Sequence, residues 1–132
     1  MKELRFDTGV VEYQVNGGYV LRFNPADTNF VRRLHDLFEE LGQEQQQVEG
    51  GVFDTIGKKD AAMREKLDGL FGPGTCQAVF GELGLYALAG GLPLWANFLL
   101  AVLEEVESAV DAQQQAASPR VAYYMEKFAA RR

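Results

Sequence analysis

The feature that most constrains the fold is an apolar run from Leu92 to Leu103, in which Asn97 carries the only hydrogen-bonding amide side chain. Pro93 suits the first turn of a helix, where its missing amide hydrogen would have no partner. The pattern then becomes amphipathic, so we predict a helix over residues 93–111. Because its first half is apolar on nearly all sides, other elements or a partner must cover it. The run is well short of the roughly 20 residues that span a bilayer, so we interpret it as the central core helix.

The N-terminal part alternates between apolar and polar residues, as half-buried strands do. Three short alternating runs lie within residues 3–23, and the first carries Leu4 and Phe6. The pair Asn16-Gly17 separates the last two runs, and both of these residues tolerate the positive φ of a hairpin turn. We therefore expect a two- or three-stranded antiparallel hairpin or meander that lays its apolar face on helices.

Three segments between the hairpin and the central helix have helical spacing of apolar residues. The first is predicted over residues 28–46, with Asp27 as its N-cap, and its end is polar and glutamine-rich. The second is predicted over residues 58–71. The third is a short helix that Thr75 caps and that ends near Gly81 or the next glycine.

The C-terminal part is predicted to be separate from the domain. After a joint, four apolar side chains recur at helical spacing: Val121, Tyr124, Met125 and Phe128. Burying these side chains would contribute roughly 6–12 kcal/mol of stabilising free energy. The conformational entropy lost on ordering about a dozen residues costs as much or more. We therefore predict one α+β, mostly α-helical domain over residues 1–112, in which an antiparallel β-hairpin or meander precedes four to five helices. Residues 113–132 are predicted to be a joint and an amphipathic helix, mobile or docked on another chain.

The charge balance restricts the classes of partner. Thirteen lysine and arginine residues against nineteen aspartate and glutamate residues give a net charge of −6. Nucleic acids and anionic membranes both require basic surface, so we expect neither, and proteins or neutral ligands are the better candidates. The charged start of the chain leads into no apolar run, so no signal peptide is expected. The single cysteine, Cys76, fits a reducing cytoplasm.

Motifs for catalysis are weak. The stretch from Gly51 to Lys59 resembles a phosphate-binding loop, but it has one residue too many between its glycines, and Lys59 replaces the residue that would bind Mg²⁺. Cys76, in the first turn of a short helix, could have a lowered thiol pKa. Because the chain has one cysteine and one histidine, a nucleophilic pair of Cys76 with His35 is possible in principle. A packed core cysteine and a solvated histidine are the favoured interpretations. We expect no active site, no metal site and no cofactor.

Two clusters of carboxylates lie on outward helix faces beside polar neighbours. Acid–base catalysis requires two carboxylates that face each other across a cleft, with pKa values pushed apart by their environments. We therefore interpret both clusters as solvated surface. They are Glu39, Glu40 and Glu44, and Glu104, Glu105, Glu107 and Asp111.

The apolar side chains favour a protein-binding role. Each is most simply a core residue, but the chain supplies only a small sheet and three modest helices to cover the central helix. Apolar surface left over usually marks a protein–protein site. The candidate contacts are Leu94, Trp95, Phe98 and Leu99 in the central helix, and Tyr124, Met125 and Phe128 in the C-terminal segment.

The segment around the third helix carries a family resemblance. The sequence Leu-Phe-Gly-Pro-Gly-Thr-Cys at residues 70–76, followed by Val-Phe-Gly at residues 79–81, resembles an element of small tail assembly chaperones encoded by long-tailed phages and prophages of Gram-positive hosts. The hairpin ending in Phe-Asn-Pro, the helix after it and the Leu-Pro-Leu-Trp run at residues 92–95 are similar in kind and order. The resemblance covers roughly residues 10–110, and its motifs are structural.

The resemblance implies a non-enzymatic assembly factor. Such chaperones coat the helical tape measure protein in the cytoplasm of the infected bacterium and keep it soluble. They release it as tail tube subunits polymerise, and they are absent from the finished particle. The implied partner is therefore the tape measure protein, with the tail tube protein as a further candidate. Many copies along one chain are compatible with homo-oligomers, and in this family a longer product often arises by frameshifting.

Three other functions remain open on the sequence. A virion component of the tail-completion or connector type would stay in the particle. A host-directed adaptor would bind a bacterial regulator. An enzyme would need a cleft assembled around Cys76 and His35.

Overall fold

The computed structural model describes residues 1–44, 52–116 and 119–130. Within these residues an antiparallel β-hairpin is followed by five α-helices, and a second, very short hairpin precedes the fourth helix. The predicted α+β, mostly helical class is confirmed. The elements in chain order are β1 Val11–Gln14, β2 Val20–Phe23, α1 Thr28–Glu44, α2 Val52–Phe71, α3 Thr75–Phe80, β3 Leu88–Ala89, β4 Leu92–Pro93, α4 Leu94–Gln115 and α5 Pro119–Ala129.

The first hairpin forms where its sequence pattern predicts it. β1 and β2 pair antiparallel, with Tyr13 opposite Leu21. The turn holds Asn16 at a φ of 50° and Gly17 at a φ of 74°, the left-handed backbone that an Asn-Gly pair accepts at low cost. Leu21 is buried and Tyr13 is half-buried, so one face of the hairpin packs on the helices.

The first alternating run forms no strand, so the three-stranded alternative is wrong. Leu4 and Phe6 are 92% and 81% exposed. A strand needs a hydrogen-bonded neighbour, and the extended chain is interrupted before β1 at Gly9, which has a φ of 73°. At this turn the side chain of Asn24 donates a hydrogen bond to the carbonyl of Thr8 at 2.9 Å.

The predictions give the start of the first helix and the end of the second correctly. Asp27 caps α1, because its carboxylate accepts a hydrogen bond from the amide of Asn29 at 2.9 Å. The predicted end of this helix at residue 46 lies outside the described residues. α2 ends as predicted but begins at Val52, well before the predicted start. Gly57, a residue type that weakens a helix, does not interrupt α2.

Aromatic rings connect the hairpin to four helices. Phe23 of β2 stacks on Phe30 of α1 with the ring centroids 4.8 Å apart. Phe71 of α2 contacts both rings, at 6.2 and 5.7 Å. Phe98 of α4 then lies 5.1 Å from Phe71 and 5.7 Å from Phe80 of α3. A two-stranded sheet is marginal alone, so these contacts hold it on the domain.

The second hairpin, which the sequence analysis missed, leads into α4. Gly90 and Gly91 have φ values of 62° and 80°, as a tight two-residue turn requires. The Asn97 side chain donates a hydrogen bond to the carbonyl of Ala89 at 2.9 Å, so the one amide of the apolar run ties this hairpin to the helix. Pro93 is the N-cap residue of α4 and is not within its first turn.

Replacing Leu99 by alanine is expected to lower the free energy of unfolding by about 3 kcal/mol, because a fully buried leucine leaves a cavity when truncated. Urea unfolding followed by circular dichroism measures this. Leu88→Ala is the matched control, because Leu88 is 75% exposed and its truncation should cost less than about 0.5 kcal/mol. Equal losses in the two variants would contradict the placement of Leu99 in the core.

Candidate protein-binding surface

The predicted contacts in α4 lie in or against the core. Trp95 is 3% exposed and Leu99 is 0% exposed, while Leu94 and Phe98 are half-buried. In this conformation a partner cannot reach Trp95 or Leu99, so the expectation of uncovered apolar surface is not met at these two residues. The reason is that short elements with large side chains cover α4 more completely than their lengths suggest. A contact through Leu94 and Phe98 stays a prediction.

The predicted contacts in α5 are accessible. All described residues of this helix are exposed, and its apolar side chains have 51% to 68% of their surface in solvent. They form the α5 face: Val121, Tyr124, Met125 and Phe128. The ring of Tyr124 lies 5.0 Å from that of Tyr123 and 6.5 Å from that of Phe128. The α5 face is therefore a continuous apolar surface on a helix that stays uncovered in the described part of the chain.

A groove of about 600 Å³ lies between the start of α1 and the last turns of α4. It is mostly apolar, and its half-buried members Val31 and Val110 pack against the core. A concave apolar surface between two helices is suited to bind an amphipathic helix. The sequence analysis missed this α1–α4 groove because its walls are far apart in the chain. The lining residues are Ala26, Thr28, Val31, Arg32, His35, Val110, Gln113 and Gln114.

A smaller groove of about 210 Å³ lies between the first hairpin and α4. The side chains of Tyr13 and Glu105 both line this groove. Burial, together with the negative charge of Glu105, raises the pKa of the Tyr13 hydroxyl. The hydroxyl therefore stays protonated at neutral pH.

A stripe of charged side chains on α2 holds the segment after α3. Asp60 and Arg64, one turn apart, form an ion pair at 2.9 Å. The Asp60 carboxylate accepts a hydrogen bond from the amide of Leu85 at 2.7 Å, and the Arg64 guanidinium donates one to the carbonyl of Leu83 at 2.7 Å. α2 thus provides hydrogen-bond partners for some backbone groups of the irregular chain between α3 and β3.

The cap of α3 differs from the prediction. Thr75 does not cap this helix: it is the first helical residue, Gly74 is the N-cap, and the Thr75 hydroxyl is buried with no hydrogen-bond partner among the described residues. The carboxylate of Asp68 on α2 instead accepts a hydrogen bond from the amide of Cys76 at 2.8 Å. A residue from a neighbouring helix therefore takes the capping role.

Cys76 is confirmed as a packed core residue. It is 2% exposed, and its thiol donates a weak hydrogen bond to the carbonyl of Arg64 at 3.7 Å. Burial, and then the negative charge of Asp68, raise the pKa of the Cys76 thiol to about 12. The alternative that was not favoured, a thiol pKa lowered by the helix dipole, is not met, because desolvation and a carboxylate outweigh one short helix.

The other candidate groups lie in solvent. His35 is exposed and lies 3.9 Å from Glu39. The ligating atoms of His35, Asp36 and Glu39 lie within 4.8 Å of one another, but all three residues are exposed, as is usual for a charged helix face. The described members of both carboxylate clusters are exposed as well. The lysine pair of the supposed phosphate-binding loop lies within α2, which confirms that this stretch is no such loop.

Cys76 and His35 lie in different environments: the thiol is buried in the core, and the imidazole lies on an exposed helix face. Within the described part of the chain, no helix is both long and apolar enough to cross a membrane.

A family model matches residues 17–132. The chain belongs to DUF6673, a family of unknown function. The DUF6673 match begins within the turn of the first hairpin and runs through α5, so the helix with the exposed apolar face lies inside the family's extent. No curated protein and no solved structure matched the chain.

The Cys76 thiol of this DUF6673 chain is expected to react with iodoacetamide at least about 100-fold more slowly when folded than in urea, because the thiolate is the reactive form. Its pKa is raised from 9.0 to about 12, so the slow rate should persist as the solution becomes mildly alkaline. Mass spectrometry of the labelled protein measures the rate.

The matched control is Ala122→Cys in a Cys76→Ser background, because Ala122 lies on exposed α5. This thiol should react at nearly the unfolded rate. Equally fast labelling of native Cys76 would contradict its placement in the core.

Proposed function

We propose that this protein is a non-enzymatic binding factor, a tail assembly chaperone that keeps a phage tape measure protein soluble during tail assembly. The observation that carries the proposal is the exposed α5 face, where side chains as large as Tyr124 and Phe128 have more than half of their surface in solvent. Exposed apolar patches of this kind mark protein-binding sites. The resemblance at residues 70–81 supports the choice of this chaperone family.

The α5 face fits a partner that is itself helical. An amphipathic helix offers apolar residues at every third or fourth position, and α5 presents its own at the same spacing. Met125 adds a flexible, polarisable side chain that adapts to different neighbours. A tape measure protein, which is long, helix-rich and repetitive in its apolar faces, would therefore offer many similar sites.

Weak binding per copy is useful to such a chaperone. One short helix covers little area, so a single copy binds weakly, and many copies are needed to coat one long chain. Polymerising tail tube subunits could then displace the copies in succession. The net charge of −6 keeps the coated complex dispersed. The proposed place of action is the host cytoplasm.

Co-expression with the tape measure protein encoded downstream is expected to move that protein from inclusion bodies into the soluble fraction. The double variant Tyr124→Ala, Phe128→Ala should lower the soluble yield at least about fivefold, because large aromatic contacts dominate binding energy. The soluble fraction is measured by quantitative immunoblotting.

The matched control is Leu83→Ala, Leu88→Ala, which removes two apolar side chains that are 61% and 75% exposed elsewhere on the domain. Its soluble yield should equal that of the wild type. Thermal unfolding of both variants checks that the domain is intact. A tape measure protein that stays insoluble beside the wild type would contradict the proposal.

The proposal also predicts that the protein is absent from finished particles, because a chaperone leaves when the tail tube encloses its partner. Mass spectrometry of purified virions measures this, with the tail tube protein as the internal standard. Stoichiometric amounts in the particle would instead support a virion component of the tail-completion or connector type.

A further inference from the structure

We propose that the α5 face of one copy docks into the α1–α4 groove of a second copy, so that two chains exchange their C-terminal helices. The proposal goes beyond the proposed function, because it names what covers the α5 face when no other partner is present. It also does not depend on the identity of that partner.

Charge is divided unequally between the C-terminal segment and the rest of the chain. Residues 119–132 contain four basic residues and one acidic residue, a net charge of +3, whereas residues 1–118 contain nine basic and eighteen acidic residues, a net charge of −9. α4 contributes four carboxylates and no lysine or arginine. Two copies with the same overall charge repel each other at long range, but the opposite local charges attract the basic C-terminal segment of one copy to the acidic domain of the other.

The basic residues of α5 lie along one edge of its apolar face. Arg120 and Lys127 are two helical turns apart, about 10.5 Å along the axis, and both are exposed. Helical spacing places them on the side of the face that carries Tyr124. The apolar face of α5 is therefore bordered by a positive stripe.

The acidic residues of α4 lie along one edge of the groove in the same way. Glu107 and Asp111 are exposed, and helical spacing places them beside Val110, which lines the groove. Glu104, also exposed, lies on the same stripe nearer the start of α4. Glu104 and Asp111 are also two turns apart, about 10.5 Å. When the α5 face lies in the groove, the two stripes can run side by side with opposite charge.

The position of the groove favours exchange between copies. Its α4 wall is formed by Val110, Gln113 and Gln114, which belong to the last turns of α4, close in the chain to the start of α5. α5 does not occupy the groove of its own chain, because all its described residues are exposed. Two copies that meet at this end can each insert α5 into the other, and a reciprocal contact closes into a dimer instead of continuing into a filament.

Charge reversal in two separate variants tests the exchange. The tail variant carries Arg120→Glu and Lys127→Glu, and the groove variant carries Glu107→Lys and Asp111→Lys. All four side chains are exposed, so the domain should stay folded. Sedimentation velocity at low salt measures the mass, which for the wild type should be twice the 14.7 kDa of one chain.

Each variant alone should dimerise at least about tenfold more weakly, because like charges then face each other. In an equimolar mixture, the acidic tail of one variant meets the basic groove of the other, and the wild-type tail meets the wild-type groove. The mixture should therefore form heterodimers that neither variant forms alone. The control Lys2→Glu, Arg5→Glu changes the net charge by the same amount as the tail variant, but at the N-terminal end of the chain. It should dimerise as the wild type does.

A monomeric wild type, unchanged dimerisation in the two variants, or a mixture that forms no heterodimer would overturn the proposal. If α5 docked within its own chain, the wild type would be monomeric and its α5 would be protected from hydrogen exchange. None of these results decides whether the tape measure protein is a partner, because co-expression measures that separately.

Discussion

Covering the first half of α4 is the constraint on which the rest of the structure depends. A helix that is apolar on nearly all sides cannot face water, and the elements available to cover it are short. None of them has enough apolar surface to be stable alone. Large aromatic side chains solve this problem, because Phe71 contacts rings from three other elements and Phe98 extends the contact to α3. Trp95 and Leu99 of α4 are buried in the core that this packing encloses.

A polar network on α2 complements this apolar packing. The chain after α3 is irregular, and half-buried backbone groups there need hydrogen-bond partners. Asp60, Arg64 and Asp68, spaced one turn apart, provide those partners for the amides and carbonyls of the neighbouring segment. The glycine-rich segment at residues 70–81, which carries the family resemblance, thus has a structural role: it forms the connection through which α3 packs against α2. Burial and the negative charge of Asp68 raise the pKa of the Cys76 thiol in this segment to about 12, so the thiol stays protonated at neutral pH.

Local chemistry made part of the fold predictable. The Asn16-Gly17 turn and the Asp27 cap depend on residues close in sequence, and both were predicted correctly. The helix periodicities were predictable for the same reason. Alternation at Leu4 and Phe6 was misleading, because a strand depends on a neighbour that a local pattern does not reveal.

The remaining features depend on residues distant in the chain. The cap of α3 comes from Asp68 in the preceding helix, so sequence pattern assigned it to the adjacent Thr75. The β3–β4 hairpin is too short for alternation to be recognised. The α1–α4 groove combines residues near the start of the chain with the last turns of α4, and only the tertiary structure brings them together. The apolar faces of single elements could therefore be predicted, whereas the concave surface between elements could not.

The location of the exposed apolar surface resolves a conflict between folding and binding. A side chain that completes the core cannot also bind a partner, because exposing it would cost the domain several kcal/mol of stability. A separate helix such as α5 avoids this cost, since its apolar residues contribute nothing to the core. An isolated helix of 11 residues is marginal in water, so part of the binding energy is spent in ordering it. The proposed binding through α5 would consequently be reversible, whichever chain supplies the groove, and this suits the proposed chaperone, which first covers a partner and then leaves it.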